Sequence, residues 1–296
     1  MNRREILKGA LGLLAGSPLV RAQSSGARQV SDKITVVDGG GPNVVVFSSG
    51  DGVVLVDSGA PKSADKLSAA LKGAKVQTLF NTHYHLDQTG NNEQVAATGA
   101  KIIAHLRTKE WMSADYWVPL EERYEKARPK AARPTQTFLT TGSLKSGGEQ
   151  IDYGYLTLAH TSGDIYVYFR NANVLAVGDV ASPLLDPSLD YFTGAWIGGR
   201  VDAMDTLLKL SSEQTKIVPA YGPVMTQAAF KAERDMMEEV RARLFKYVRE
   251  GDSPKDMLAA GVLKDLPRTW KDPEKFMYAA AKGLWAHHDK LDPNVV

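Results

Sequence analysis

No cysteine occurs anywhere in the 296 residues. Disulfides and thiolate ligation are both excluded, so any bound metal must be held by nitrogen and oxygen. Histidine is scarce as well, with six in the chain, so each one that falls in a pattern counts. Neither sign of charge is in surplus, 36 Lys/Arg standing against 34 Asp/Glu. That balance gives no footprint for a nucleic-acid partner. Beyond the first 22 residues no apolar run is long enough to span a bilayer. Internal repeats and low-complexity tracts are also missing. What remains is a chain that is 43% hydrophobic, enough for one large core or one core with an appendage.

Residues 1–22 read as an export signal rather than as part of the fold. Asn2-Arg3-Arg4-Glu5-Ile6-Leu7-Lys8 resembles the bacterial twin-arginine signal. An apolar run from Gly9 to Val20 follows, too short to cross a membrane comfortably, and Val20-Arg21-Ala22 supplies small residues for cleavage before Gln23. The expectation is a periplasmic protein handed to the twin-arginine machinery already folded. The segment carries four Lys/Arg and one Glu, so removing its +3 from the whole-chain +2 leaves a mature charge of −1.

The chain is organised around Asn81-Thr82-His83-Tyr84-His85-Leu86-Asp87-Gln88, which follows the apolar, strand-like run Val76 to Phe80. On an extended backbone His83 and His85 point to the same side, and Asp87 extends the row. Three such groups leaving one strand end suit a divalent metal. His160 lies in Ala159-His160-Thr161-Ser162-Gly163-Asp164, behind an expected strand from Tyr153 to Ala159. Asp179, after Gly178, closes the strand from Val174, and Tyr221 follows the short strand Ile217 to Pro219.

Other segments read as follows. Asn43 to Phe47 and Val53 to Asp57 flank Gly50-Asp51-Gly52 as a hairpin. A helix runs from a Ser63 cap to Leu71, and a helix-like segment follows the histidine loop as far as Gly99. Lys101 to His105 is a strand, with His105 read as a hydrogen-bonded strand-end residue rather than a ligand. Residues 106–150, with Trp111, Tyr116, Trp117, Tyr124 and a basic proline-broken run, form either a substrate lid or a helix packed on the core beside a solvated loop, the second being simpler. Residues 181–200 are a loop, and Asp202 to Leu210 a helix. Phe230, Met237, Val240, Leu244 and Val248 mark a long amphipathic helix from Gln227 to Gly251. Ser253-Pro254 and Asp272-Pro273 each cap a further helix, and His287 and His288 in the last are read as surface residues.

These polar strand ends, taken in order, resemble the metallo-β-lactamase superfamily over roughly Lys33 to Val224. The resemblance implies an α/β fold, an αββα metallo-β-lactamase-type sandwich over 23–226, with residues 227–296 as a C-terminal helical extension packed on the same domain. It carries the family's histidine loop onto His83, His85 and Asp87, its later histidine onto His160, and its bridging aspartate onto Asp179. Two positions depart: Gln88 and Tyr221 stand where the family has the histidines of its second metal. An amide oxygen is a weak donor, and a phenol with a pKa near 10 binds as phenolate only by losing a proton. One Zn2+ is therefore expected rather than two, with oxygen-favouring Mn or Fe as the other candidates for a second site. The implied activity is metal-dependent hydrolysis of a small-molecule ester, lactone or amide, with Asp87 holding and deprotonating the water and Tyr221 donating to the leaving group or oxyanion. The alternatives are a single-iron oxidoreductase of a thiol or persulfide and a non-catalytic metal-binding protein.

Overall fold

A computed structural model describes residues 27–118 and 122–287. The signal-like segment 1–22 and His288 lie outside them. Alternating and fully apolar runs build the first sheet from β1 (Arg28–Ser31), β2 (Ile34–Asp38), β3 (Asn43–Ser49), β4 (Gly52–Val56), β5 (Val76–Phe80) and β6 (Lys101–His105). A short β7–β8 hairpin (Tyr116–Val118, Arg123–Glu125) stands apart, and β9 (Gln136–Phe138) completes the seven-stranded order β1-β2-β3-β4-β5-β6-β9. The second sheet has five strands in sequence order: β10 (Thr141–Ser146), β11 (Glu149–Tyr155), β12 (Ile165–Phe169), β13 (Val174–Gly178) and β14 (Lys216–Pro219).

The two sheets face each other across a shared apolar layer. Phe47, Val54, Phe80 and Ile103 from one side meet Ile151, Val167, Phe169 and Val218 from the other, with Phe47 and Phe169 ring centroids 5.5 Å apart. Strands buried on both faces need a second covering layer. On the first sheet this comes from α1 (Ala64–Leu71), α2 (Leu86–Thr89), α3 (Asn92–Ala96) and α4 (Leu106–Ser113), with Leu67 and Val95 in the outer cluster. On the second it comes from α5 (Ile197–Leu210), α6 (Gln227–Glu250), α7 (Pro254–Ala259) and α8 (Pro273–Ala286), which bury Met204, Phe230, Val240, Leu244 and Phe276 against Leu175 and Val177. The result is an αββα sandwich whose C-terminal helices cover the second sheet.

At one end the sheets are joined by main chain. Ile165 N donates to Thr82 O at 2.9 Å, Ala220 N to Gly178 O at 2.8 Å, and Asn43 N to Ala220 O at 2.7 Å. The loops that follow β5, β13 and β14 therefore converge on one edge.

Several local readings change. β11 ends at Tyr155, not Ala159, and His160 is delivered by a turn in which Leu158 takes φ +51°. α5 begins at Ile197 rather than Asp202. Trp196 at its N-cap offers no capping side chain, and Gly198-Gly199 weakens the helical pattern. Both glycines are needed, because a Cβ at Gly198 would lie 2.3 Å from the Trp196 ring and one at Gly199 2.3 Å from Leu158 O. Residues 106–150 are more ordered than either reading allowed, with α4, a hairpin and two strands. His105 caps α4 and stacks on Tyr155 at 3.9 Å. His287 is half-buried, stacking on Trp196 at 4.7 Å instead of facing solvent.

Candidate metal centre

The site begins with a clamp on the chain just past β5. Asp57, in the left-handed region at φ +62°, accepts from Thr82 N and Thr82 Oγ1, each at 2.8 Å. With its hydrogen committed to Asp57, Thr82 Oγ1 accepts from His83 Nδ1 at 3.0 Å, leaving Nε2 of His83 with its lone pair inward. The same logic holds twice more with different partners. His85 Nε2 meets Asp190 Oδ2 at 3.3 Å, so its Nδ1 faces inward. His160 Nδ1 donates to Ser188 O at 2.9 Å, so its Nε2 faces inward.

The inward nitrogens converge. His85 Nδ1 lies 3.1 Å from His83 Nε2 and 3.0 Å from His160 Nε2. All three ligand atoms fall within 4.8 Å of one another, and this is the cluster of its kind found among the described residues. Three lone pairs aimed at one point repel unless a cation lies between them. Tetrahedral zinc with Zn–N of about 2.0–2.1 Å separates its nitrogens by roughly 3.3 Å, close to the spacing seen. Outward N–H groups fixed by a hydroxyl, a carboxylate and a carbonyl are the second layer that metal-binding histidines require. The residues fit a zinc-type ion.

Electrostatics point the same way. Burial, helped by His160 and His85, holds His83 well below the ordinary histidine value. Burial and then His85 bring His160 down to about 4. Both rings are thus neutral and ready to ligate near pH 7. For His85 burial also lowers, but Asp190, Asp87 and Asp179 more than offset it and the net shift is upward. Burial, reinforced by Asp87, raises Asp179 to about 7.

Asp179 Oδ2 sits 3.5 Å from His83 Nε2 and 3.9 Å from His160 Nε2, beside the trio. The turn before it requires glycine: Gly178 has φ +57°, and a Cβ there would meet Thr82 at 2.9 Å. Asp87 does not continue an extended row, because the backbone turns helical at Leu86. Its carboxylate instead accepts from Tyr221 Oη at 2.5 Å and Gln88 Nε2 at 3.2 Å. Gln88 Nε2 also lies 3.5 Å from Asp179 Oδ2. Tyr221 therefore donates to Asp87, and Gln88 Nε2 faces both Asp87 and Asp179. Tyr221 is committed to Asp87 in this arrangement, and burial with that carboxylate pushes its phenol upward.

Sequence reasoning missed the outer layer. Asp190 had no motif to mark it, yet it binds His85 and accepts from Tyr84 Oη at 2.5 Å. Tyr84, between the two histidines, carried the one available signal, since alternation sends it to the opposite side of the row. Next to the trio a cavity of about 470 Å³ opens, lined by Tyr84, His85, Asp87, Tyr116, Phe192 and Phe276 among others. Tyr116 comes from the β7–β8 hairpin, so this part of the 106–150 segment lines the cavity, while α4 supplies the helix of the simpler reading.

A family description, the metallo-beta-lactamase superfamily, matches residues 37–221. The chain belongs to this superfamily. Among curated relatives, the 2,4-dinitroanisole O-demethylase subunit alpha of Nocardioides sp. is 22% identical over 232 residues, 75% of this chain and 65% of that one. The chain thus spans less than two thirds of that relative. Among solved structures, a metallo-beta-lactamase from Pontibacter korlensis superposes with TM-score 0.59 at 20% identity, covering 72% of this chain and 98% of that one. The sec-alkylsulfatase Pisa1 from Pseudomonas sp. gives 0.65 at 15% identity, covering 91% of this chain and 52% of that one. At these identities the superfamily members share the fold, and the likeness reaches no further.

Proposed function

We propose that this superfamily member is a mononuclear zinc hydrolase that opens an ester, lactone or amide of a small molecule. The observation that carries the reading is the convergence of His83 Nε2, His85 Nδ1 and His160 Nε2, each with its other nitrogen tethered. A zinc ion held by these three nitrogens supplies a Lewis acid and lowers the pKa of a water to about 7.

The chain's own residues do the rest. Asp87 is the carboxylate assigned to hold the water and take its proton, and Asp179 lies beside the trio. Tyr221 donates its one O–H to Asp87 and keeps that carboxylate oriented; to serve a developing oxyanion it would have to release Asp87. Tyr84, Tyr116, Phe192 and Phe276 offer ring faces for the body of the substrate and exclude water from it. The Nocardioides relative's name, an aryl ether demethylase, suits such an aromatic-lined cavity and directs the first substrates tried to aryl esters. The twin-arginine-like segment supports export to the periplasm, with a mature chain starting at Gln23. No described helix is long and apolar enough to cross a membrane.

The test is a panel of aryl esters, lactones and anilides assayed with protein stripped of metal and then reloaded with one zinc. Hydrolysis that disappears on stripping and returns on reloading supports the reading; hydrolysis indifferent to both refutes it.

A further inference from the structure

The superfamily match ends at residue 221, yet the loop that carries half of the metal centre is gripped both by α5 within the match and by α6 and the α7–α8 segment beyond it. That loop, residues 179–190, holds Asp179, the Ser188 carbonyl that orients His160, and Asp190, which orients His85. Arg200 on α5 is fully buried. Its Nη1 donates to Asp179 O at 2.8 Å and Ser188 O at 3.3 Å, and its Nη2 to Ser182 Oγ at 2.8 Å. One guanidinium therefore spans both ends of the loop. A buried guanidinium needs a counter-charge, and Glu233 of α6 provides it at 3.4 Å while also accepting from Ser182 N at 2.7 Å.

A second grip comes from the segment between α7 and α8. Arg268 donates to Ser182 O at 2.6 Å and to Leu185 O at 2.7 Å. Just after it, Lys271 N and Asp272 N donate to the Asp186 carboxylate at 2.8 and 2.7 Å. These contacts fix the loop's backbone and its Ser182 and Asp186 side chains rather than a metal-facing atom.

We propose that α5 and the C-terminal helical segment together form a clamp for the metal centre, with Arg200, Glu233 and Arg268 as positioning residues that hold the 179–190 loop so that Ser188 and Asp190 keep His160 and His85 in ligating orientation. The proposal rests on the metal reading of the histidine trio. Orienting partners of metal-bound histidines are worth about 10–100-fold in affinity, and a clamp acting one step further out should reach the low end of that range.

The experiment measures zinc affinity of the full-length protein by competition with a chromophoric chelator. Arg268→Ala is the main variant, because Arg268 sits at the surface end of the clamp and its loss leaves the core packed. It should bind zinc about tenfold more weakly. Arg268→Lys, with one ammonium for two carbonyls, should fall between. Arg200→Lys keeps the charge beside Glu233 but cannot span the loop, and should weaken binding at least as much. Leu67→Ala, in the far helical layer, controls for general destabilisation and should leave affinity unchanged. As a second readout, the hydrogen-bonded Nδ1–H resonance of His160 should exchange faster in Arg268→Ala and Arg200→Lys and not in Leu67→Ala. Wild-type affinity in Arg268→Ala and Arg200→Lys would overturn the clamp alone. Wild-type protein that takes up no zinc would overturn the metal reading with it.

Discussion

The two halves of the metal centre are built differently. His83 is secured at the ends of two neighbouring strands: Thr82 touches the ring, and Asp57, one strand away, holds Thr82 by two hydrogen bonds. His160 is secured at long range, through the Ser188 carbonyl and then a fully buried arginine on a helix. The first half is a local turn chemistry that belongs to the sheet. The second is a loop whose position is set by helices packed on the outer face of the second sheet. Local anchoring should make the first half rigid and insensitive to distant change, whereas the second should respond to substitutions far from any ligand.

The largest expected effect does not distinguish the halves. His160→Ala removes one of three ligands, and metal content should drop to near zero with activity down about a thousandfold or more, read by elemental analysis and initial rates. Asp190→Asn comes next and sharpens the comparison. It weakens the partner of His85 Nε2 without touching a ligand, and zinc affinity should fall about tenfold in a chelator competition. Asp57→Asn probes the local half. Thr82 N and Thr82 Oγ1 face different oxygens of Asp57, one of which becomes a donor NH2 in asparagine, so unfolding free energy should drop by about 1–3 kcal/mol in a denaturant titration. Equal sensitivity of affinity to Leu67→Ala and Arg268→Ala would erase the distinction between the halves.

A pH-dependent effect is specific to metal-free protein. Asp179 is raised to about 7 in the fold, above an ordinary carboxyl near 3.9. The folded state then binds more protons than the unfolded state between those values, so the wild type loses stability as pH rises through that window. Metal-free Asp179→Asn, which carries no such charge, should gain stability over wild type as pH rises from about 4 to about 7 and level off above, by thermal melts across pH. Smallest of all is Tyr221→Phe. It removes one hydrogen bond to Asp87 and should leave zinc content at one per chain while lowering kcat several-fold.

Much of the fold was legible because apolar runs and turn residues punctuate the strands plainly, and because the chemistry-bearing side chains sit where strands end. His83, His85 and His160 could be marked as candidates for that reason. The supporting layer was not legible, and the reason is physical. Ser188 acts through its carbonyl, which every residue has, so nothing in the sequence sets it apart. Arg200 and Arg268 look like ordinary helix and loop cations until the topology folds them onto the 179–190 loop. Asp87 was misplaced because an extended row was assumed where Leu86 starts a helical turn. The α5 boundary was hidden by Trp196 and two glycines, whose role is close packing against a ring and a carbonyl rather than helix formation.

The central claim is that three imidazoles hold one ion and that Gln88 and Tyr221 close the second position. Equilibrium dialysis of stripped protein against excess zinc, with the bound metal counted per chain, tests this most directly. The account predicts saturation at one zinc for wild type and near none for His160→Ala. Saturation at two, or uptake unaffected by the loss of His160, would contradict it.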